Sequence, residues 1–177
     1  AMAGENSSVY TKFDLGKTCK VIEAGDEYVY AGTWKCPGLK NLDVVIASSD
    51  DRDYVGFGPE AARTCSFRKT FNRFNTALSP IEWRFAGKTP IAAIERWSVI
   101  KDPASGTDES VTWLVVNKLH DGTSCHMHYV SGSFPEANAA ARKSADEKAS
   151  GFNCETDAPT YDSTVGPPPI SLEPCKV

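Results

Sequence analysis

The chain has 177 residues, 41% hydrophobic and 24% charged, which is typical of one globular domain large enough to bury a core. Its formal net charge of −4, without a cluster of Lys or Arg, argues against a nucleic-acid-binding surface. No apolar run is long enough to cross a bilayer; the most apolar stretch, residues 111–119, has the length of a strand.

Strand-like patterns run through most of the chain after a polar start. Residues 1–8 are small and polar, which predicts a disordered N-terminal segment. The strand-like segments are, in chain order, residues 19–23, 28–36, 41–48, 54–57, 81–85, 91–100, 111–120 and 124–130. Turn composition predicts a reversal at residues 24–27, and residues 59–79 predict an irregular stretch with one helical turn. Residues 91–100 are apolar on both faces, which predicts a central strand.

One helix is indicated near the C-terminus. Ser133 as N-cap and Glu136 three residues later form a capping-box pattern, and Pro135 suits a first helical turn. A stripe of small residues follows at helical spacing: Ala137, Ala140, Ala141, Ser144, Ala145 and Ala149. This stripe predicts a helix packed closely on the sheet, and Gly151 is expected to end it. The prolines after Cys154 predict an extended tail.

The cysteines indicate the compartment. They are Cys19, Cys36, Cys65, Cys125, Cys154 and Cys175. Because their number is even and they have neither a C-x-x-C pair nor zinc-finger spacing, they favour disulfides, and disulfides favour an oxidising compartment. We therefore expect a periplasmic or secreted protein whose signal peptide has been removed, with Ala1-Met2 as a vector-derived remnant.

Six cysteines allow fifteen pairings, and the sequence alone does not select one. The arrangement favoured by proximity, with the third bridge following by elimination, is Cys19–Cys36, Cys125–Cys154 and Cys65–Cys175. The second of these bridges would hold the helix over one face of a late strand. Strand alternation then predicts two sets of residues on that strand: Cys125, Met127 and Tyr129 under the helix, and His126, His128 and Val130 on the opposite face.

His126 and His128 form the one motif with metal-ligand chemistry, because residues two apart on a strand share a face. Zinc requires three or four ligands, and His120 is the nearest further candidate. A two-residue or four-residue loop about Asp121-Gly122 turns His120 away from the pair, and only an odd-length loop with a bulge brings all three together. Ordinary strand histidines are therefore the favoured interpretation, and no metal or other cofactor is predicted.

A second group combines charged and aromatic residues. Glu82 and Arg84 flank Trp83, and Glu95 precedes Arg96. Cross-strand ion pairs on a solvated face are the favoured interpretation, with ligand binding or acid–base chemistry as the alternative. Glu95 lies on an apolar face and needs a partner, for which Arg84 is the nearest candidate.

Three stretches stand out together: Phe74 to Arg84, Val115 to His126, and Ala141 to Cys154. As a set they resemble a family of small exported bacterial proteins, found mainly in alphaproteobacteria, that carries no assigned activity. The resemblance covers residues 10–158. It implies a periplasmic location and disulfides in the mature protein, and it implies no catalytic residues.

The chain therefore predicts one α+β domain over residues 9–158. Its core is a twisted antiparallel sheet of about seven to nine strands, which can curl into a half-barrel, with one C-terminal helix on one face. The Pro-rich tail, residues 159–177, is expected to be tied back by Cys175. A two-sheet sandwich is the alternative.

The favoured function is a non-enzymatic exported protein that binds a small ligand or a protein, as an inhibitor or an envelope accessory factor. The residues expected to contact the ligand are Trp83, Arg84, Glu95, Trp113, His126 and His128. A periplasmic hydrolase using Glu82 or Glu95, or a metal at His126 and His128, is the first alternative, and a purely structural role is the second.

Overall fold

The computed structural model describes residues 4–24, 32–102, 106, 109–120 and 123–175. The strands are β1 (Asn6–Thr11), β2 (Lys20–Ala24), β3 (Gly32–Leu39), β4 (Leu42–Ser49), β5 (Arg52–Phe57), β6 (Asn75–Ala86), β7 (Thr89–Ile100), β8 (Ser110–His120), β9 (Thr123–Ser131) and β10 (Thr160–Asp162). Helix α1 spans Ala137–Lys148, and two short 3-10 helices span Ala61–Arg63 and Ser66–Arg68. Within the described ranges, no helix is long and apolar enough to cross a bilayer.

The strands form two sheets. One has six strands in the order β1-β6-β7-β8-β9-β10, and the other has four in the order β2-β3-β4-β5. All neighbouring strands are antiparallel except β10, which runs parallel to β9. The α+β class, with one helix on a sheet face and a disulfide-tied tail, is confirmed. The strands divide between two sheets, as in the alternative arrangement.

The main core lies between the two sheets and is rich in aromatic rings. The Phe57 ring of the smaller sheet meets Trp83 of the larger one edge-on, with 5.6 Å between ring centroids. Phe71, in the connection before β6, contacts Trp97 and Tyr129 at 5.5 and 6.1 Å. Burial of each such ring contributes about 1.5–3 kcal/mol, so this layer supplies much of the stability.

A second core lies between α1 and the outer face of the larger sheet. Ala141 and Ala145 are fully buried against Ile94, Leu114 and other apolar residues of β7, β8 and β9. The small-residue stripe is therefore confirmed as the packing face of the helix. Because Ala carries only a methyl group, the helix backbone lies close to the strands.

The expected capping box is wrong. The N-cap is Glu136, which adopts a left-handed conformation with φ 52° and makes no side-chain cap hydrogen bond. Ser133 lies in the turn after β9, and its hydroxyl is 2.5 Å from the hydroxyl of Thr164 in the tail. The side chain of Ser133, which the local pattern assigned to the helix cap, therefore contacts the tail instead.

Residues 6–8, expected to be disordered, belong to β1. This strand pairs with β6 along its whole length, with Val9 opposite Trp83. The indole of Trp83 donates to the Thr11 hydroxyl at 2.8 Å, and the Ser8 hydroxyl donates to Glu82 at 2.6 Å. Pairing with a strand some 70 residues away orders a segment whose own composition gives no strand signal.

All three expected disulfides are present: Cys19–Cys36, Cys65–Cys175 and Cys125–Cys154. The tail is extended as expected, but residues 160–162 form β10 on the edge of the larger sheet. Ile170, 6% exposed, inserts into the main core, and the Asn72 amide donates to the Pro169 carbonyl at 2.8 Å. The tail is therefore held on the body of the protein by packing and hydrogen bonds as well as by its disulfide.

A bulge in β9 changes the expected faces of that strand. Val116 lies opposite His128 whereas Asn117 lies opposite His126, so Met127 is the extra residue. At the hairpin end, His120 faces Thr123 in the register expected of a two-residue loop. The described residues do not include residues 121–122 of this loop. They also do not include residues 25–27 of the expected turn or residues 1–2, the expected vector-derived remnant.

The face assignment after the bulge is wrong. Met127 packs under α1 as expected, but Tyr129 lies in the main core and Val130 lies under the helix. An inserted residue shifts strand alternation by one, so every later side chain exchanges faces.

Candidate ligand pocket beneath the C-terminal tail

The two tryptophans expected to contact a ligand are core residues. Trp83 is 0% and Trp113 is 1% exposed, and both belong to the cluster between the sheets. Their side chains therefore pack between the two sheets and support the fold.

The charged residues of β6 hold α1 on the sheet. Arg84 binds Asp146 through two hydrogen bonds of 2.8 Å, and Arg142 donates to Glu82 at 2.8 Å. The pKa of Asp146 is lowered chiefly by its hydrogen bonds from Arg84. Ion pairs are present, but they join strand to helix, and the expected cross-strand pairs do not form among these residues.

The expected pairing of Glu95 with Arg84 is wrong. Glu95 is 1% exposed and faces the main core, whereas Arg84 faces α1. Burial raises the pKa of Glu95 to about 8, although the nearby Trp97 indole and Asn117 amide act in the opposite direction. Neither group forms a hydrogen bond of good geometry with the carboxyl oxygens. Glu95 is therefore protonated at neutral pH.

The two histidines do not act as a pair. His128 lies against the tail strand, with Nδ1 2.6 Å from the Thr160 hydroxyl and Nε2 3.0 Å from Asp162 Oδ2. Burial lowers the pKa of His128, and Asp162 partly opposes that effect. His126 instead faces the main core. Among the described residues, no group of three or more His, Cys, Asp or Glu side chains could hold a metal ion.

His126 forms the floor of a pocket beneath the tail. Its Nδ1 lies 2.8 Å from the Tyr129 hydroxyl, and its Nε2 is buried without a hydrogen-bond partner within the described chain. Burial, reinforced by the positive charge of Lys69, lowers the pKa of His126 to about 3. The floor is therefore uncharged at neutral pH.

Two disulfides build the walls of this tail pocket, whose volume is about 210 Å³. Cys65–Cys175 joins the second 3-10 helix region to the tail, and Cys125–Cys154 joins β9 to the segment after α1. The two bridges also touch through the backbone, because the Cys175 amide donates to the Cys154 carbonyl at 3.1 Å. The covalent frame brings together four segments that are far apart in sequence.

Lys69 is the most unusual charged residue of the pocket. It is half-buried, and its Nζ lies 3.5 Å from the Glu173 backbone carbonyl and 5.9 Å from the centre of the Tyr129 ring. Burial lowers the pKa of Lys69 to about 8, partly opposed by the charge of Glu173. Among the described residues, no carboxylate forms an ion pair with it. A partly desolvated ammonium without a carboxylate partner favours an incoming anionic group.

The charges of the ionic side chains that line the pocket sum to zero. Arg68 and Lys69 are cationic, and Asp157 and Glu173 are anionic. One oxygen of Asp157 accepts the Asn153 amide at 2.7 Å. The lining is therefore neutral overall, with both signs of charge present.

Sequence reasoning predicted the two disulfides of the walls and selected the floor residue, but it missed the charged side chains of this site. His126 was selected for a metal-binding motif, whereas Lys69, Asp157 and Glu173 carried no local signal. The one available signal was the pairing of Cys65 with Cys175, because it brings the segment after Cys65 to the tail.

Comparisons of the chain with protein-family models, with curated proteins and with solved structures find no match.

Proposed function

We propose that this protein is a ligand-binding protein of an oxidising, extracytoplasmic compartment, and that the tail pocket holds a small zwitterion of the α-amino-acid class. The observation that carries the proposal is Lys69, a half-buried ammonium without a carboxylate partner at the wall of a pocket of neutral total charge. The three disulfides support the compartment, because such bridges persist where thiols are not kept reduced.

The carboxylate of the ligand is expected to bind at Lys69 and Arg68. Its negative charge would offset the desolvation that lowers the pKa of Lys69 in the free protein. A charge-assisted hydrogen bond to a carboxylate is about twice as strong as a neutral one.

The ammonium of the ligand is expected to face Asp157 and Glu173. A monoanion would leave these two carboxylates unmatched, and a simple amine would leave the two cations unmatched. A zwitterion matches both signs, so charge complementarity selects it over either singly charged relative.

The size and lining of the pocket restrict the ligand further. A volume of about 210 Å³ admits a small amino acid with a short side chain. The disulfide sulfurs and the rings of Pro159 and Pro174 give that side chain an apolar surface.

A hydrolase receives less support from the arrangement. Glu82 accepts hydrogen bonds from Arg142 and Ser8 on the helix side of the sheet, whereas Glu95 faces the main core and is 1% exposed. The two carboxyl groups lie on different faces of the sheet, so they do not flank a common substrate position.

Calorimetric titration tests the proposal with three amino acids: L-alanine, L-2-aminobutyrate and L-valine. We expect at least one to bind, and its deaminated and decarboxylated analogues (isovalerate and isobutylamine for L-valine) to bind at least about tenfold more weakly. Lys69→Met should weaken binding by about tenfold or more, whereas Lys17→Met, at an exposed lysine away from the pocket, should not. No heat from any of the three amino acids, or equal affinity in Lys69→Met, would contradict the proposal.

A further inference from the structure

A separate groove lies on the opposite side of the larger sheet, between α1 and strands β6 and β7. It has a volume of about 190 Å³. The apolar side chains of Ile94 and Leu114, which are 3% and 1% exposed, lie at its base. Its walls carry Glu82, Arg96, Asn138 and Arg142. None of these residues lines the tail pocket.

The charges of the ionic side chains that line this groove, called the helix groove below, do not sum to zero. Arg142 is matched by Glu82 at 2.8 Å, and its other arm lies 3.5 Å from the Tyr10 hydroxyl. Arg96 donates to the Asn138 side-chain oxygen at 2.7 Å, and within the described chain no carboxylate forms an ion pair with it. The groove therefore carries one excess positive charge on a guanidinium held by a neutral amide.

The start of α1 adds to this positive potential. Asn138 lies in the first turn of the helix, which has no acidic residue, and the N-cap Glu136 makes no side-chain cap hydrogen bond. The unpaired amides at a helix N-terminus act as a partial positive charge. Arg96 is held beside that end by its hydrogen bond to Asn138, so the guanidinium and the helix N-terminus both contribute positive potential to the groove.

We propose that the helix groove binds a small organic monocarboxylate, with its carboxylate between Arg96 and Arg142 and its apolar body on Ile94 and Leu114. Guanidinium groups bind planar carboxylates through paired hydrogen bonds, which favours this anion. The single excess charge matches a monoanion, and Glu82 would repel a second negative charge. The apolar floor favours an acid with a hydrocarbon or aromatic body over a bare inorganic ion.

An NMR titration with sodium benzoate in low-chloride buffer tests this proposal on the wild-type chain. We expect saturable shifts of the Ile94 and Leu114 methyl resonances, with no shift at His126 or Lys69. Benzamide, which has the same shape without the charge, should bind at least about tenfold more weakly. Shifts confined to the tail pocket, an absence of saturable shifts, or equal affinity for benzamide would each overturn the proposal.

Variants separate recognition by Arg96 from a general loss of positive charge. Arg96→Gln should weaken benzoate binding by about tenfold or more, and Arg63→Gln, at an exposed arginine of the first 3-10 helix, should leave it unchanged. Arg142→Lys keeps a cation beside Glu82 but loses the planar fork, so it should weaken binding by a smaller factor. Benzoate binding by Arg96→Gln at wild-type affinity would overturn the proposal. Amino-acid binding in the tail pocket should be unaffected by Arg96→Gln, so the two sites succeed or fail separately.

Discussion

The hydroxyl of Tyr129 lies 2.8 Å from Nδ1 of His126 at the floor of the tail pocket, and the two residues are 0% and 4% exposed. Burial raises the pKa of Tyr129 well above its ordinary value and lowers that of His126 to about 3. Both rings therefore remain neutral through the physiological pH range. The stability of the protein at acid pH should depend on this pair.

We predict that His126 makes the protein less stable as the pH falls below 6.5. In the unfolded chain the imidazole takes up a proton near pH 6.5, whereas in the folded protein it does so near pH 3. Between these values the unfolded state holds the extra proton. The free energy of unfolding therefore decreases as the pH is lowered, by at most about 1.4 kcal/mol per pH unit. Urea unfolding of wild type and His126→Asn at pH 4 and pH 6.5 measures the contribution of His126 as the difference between the two slopes, because Glu95 and His128 contribute equally to both proteins.

The matched control for this experiment is Tyr129→Phe. It removes the hydrogen bond but keeps the imidazole, so it should lower stability by about 1 kcal/mol at both pH values and retain the slope. An acid slope of wild-type size in His126→Asn would contradict the assignment.

Glu95 should act in the opposite direction. Its pKa is raised from 4.5 to about 8, so between these values the folded state holds a proton that the unfolded state has released. The free energy of unfolding should therefore fall as the pH rises through this window, by at most about 1.4 kcal/mol per pH unit. Glu95→Gln should remove the slope and raise the melting temperature at pH 8. Glu60→Gln, an exposed change of equal charge, should do neither; a wild-type slope in Glu95→Gln would refute the prediction.

The ion pair of Arg84 and Asp146 should be stronger than a surface pair. Its two side chains are 14% and 23% exposed and share two hydrogen bonds, so we expect a coupling energy of about 1 kcal/mol in a double-mutant cycle to Ala. The exposed pair Lys143 and Glu147, at 4.0 Å on the same helix, is the control and should give about 0.3 kcal/mol. Equal coupling in the two cycles would show that Arg84 does not fasten the helix.

The bridge between Cys65 and Cys175 should stabilise both the fold and the tail pocket. It closes the longest loop of the three bridges, with a sequence separation of 110, so replacing both cysteines by Ser should cost about 2–4 kcal/mol in urea unfolding. The same variant should lose amino-acid binding, because one wall of the tail pocket is released. Unfolding at the wild-type urea midpoint, or amino-acid binding at wild-type affinity, would contradict this role.

Local patterns predicted much of the fold because most of its determinants are local. Period-two alternation located most of the strands, and the alanine stripe identified the buried face of α1. The patterns failed where distant segments decide the outcome. Residues 6–8 become a strand by pairing with β6, and the bulge at Met127 depends on the register with β8.

The site was harder to predict than the fold for the same reason. Trp83 and Trp113 were expected to contact a ligand, but the second sheet covers them. Lys69 and Glu173 are separated by about a hundred residues and meet only because the tail is tied back. No pattern within a short window could have joined them.

The protonation of Lys69 provides the most direct test of the tail pocket. NMR titration of its side-chain ammonium should give a pKa of about 8 in the free protein. With saturating L-valine, a carboxylate beside the ammonium should raise that pKa by about one pH unit. An unchanged Lys69 titration under saturating L-valine would contradict the account.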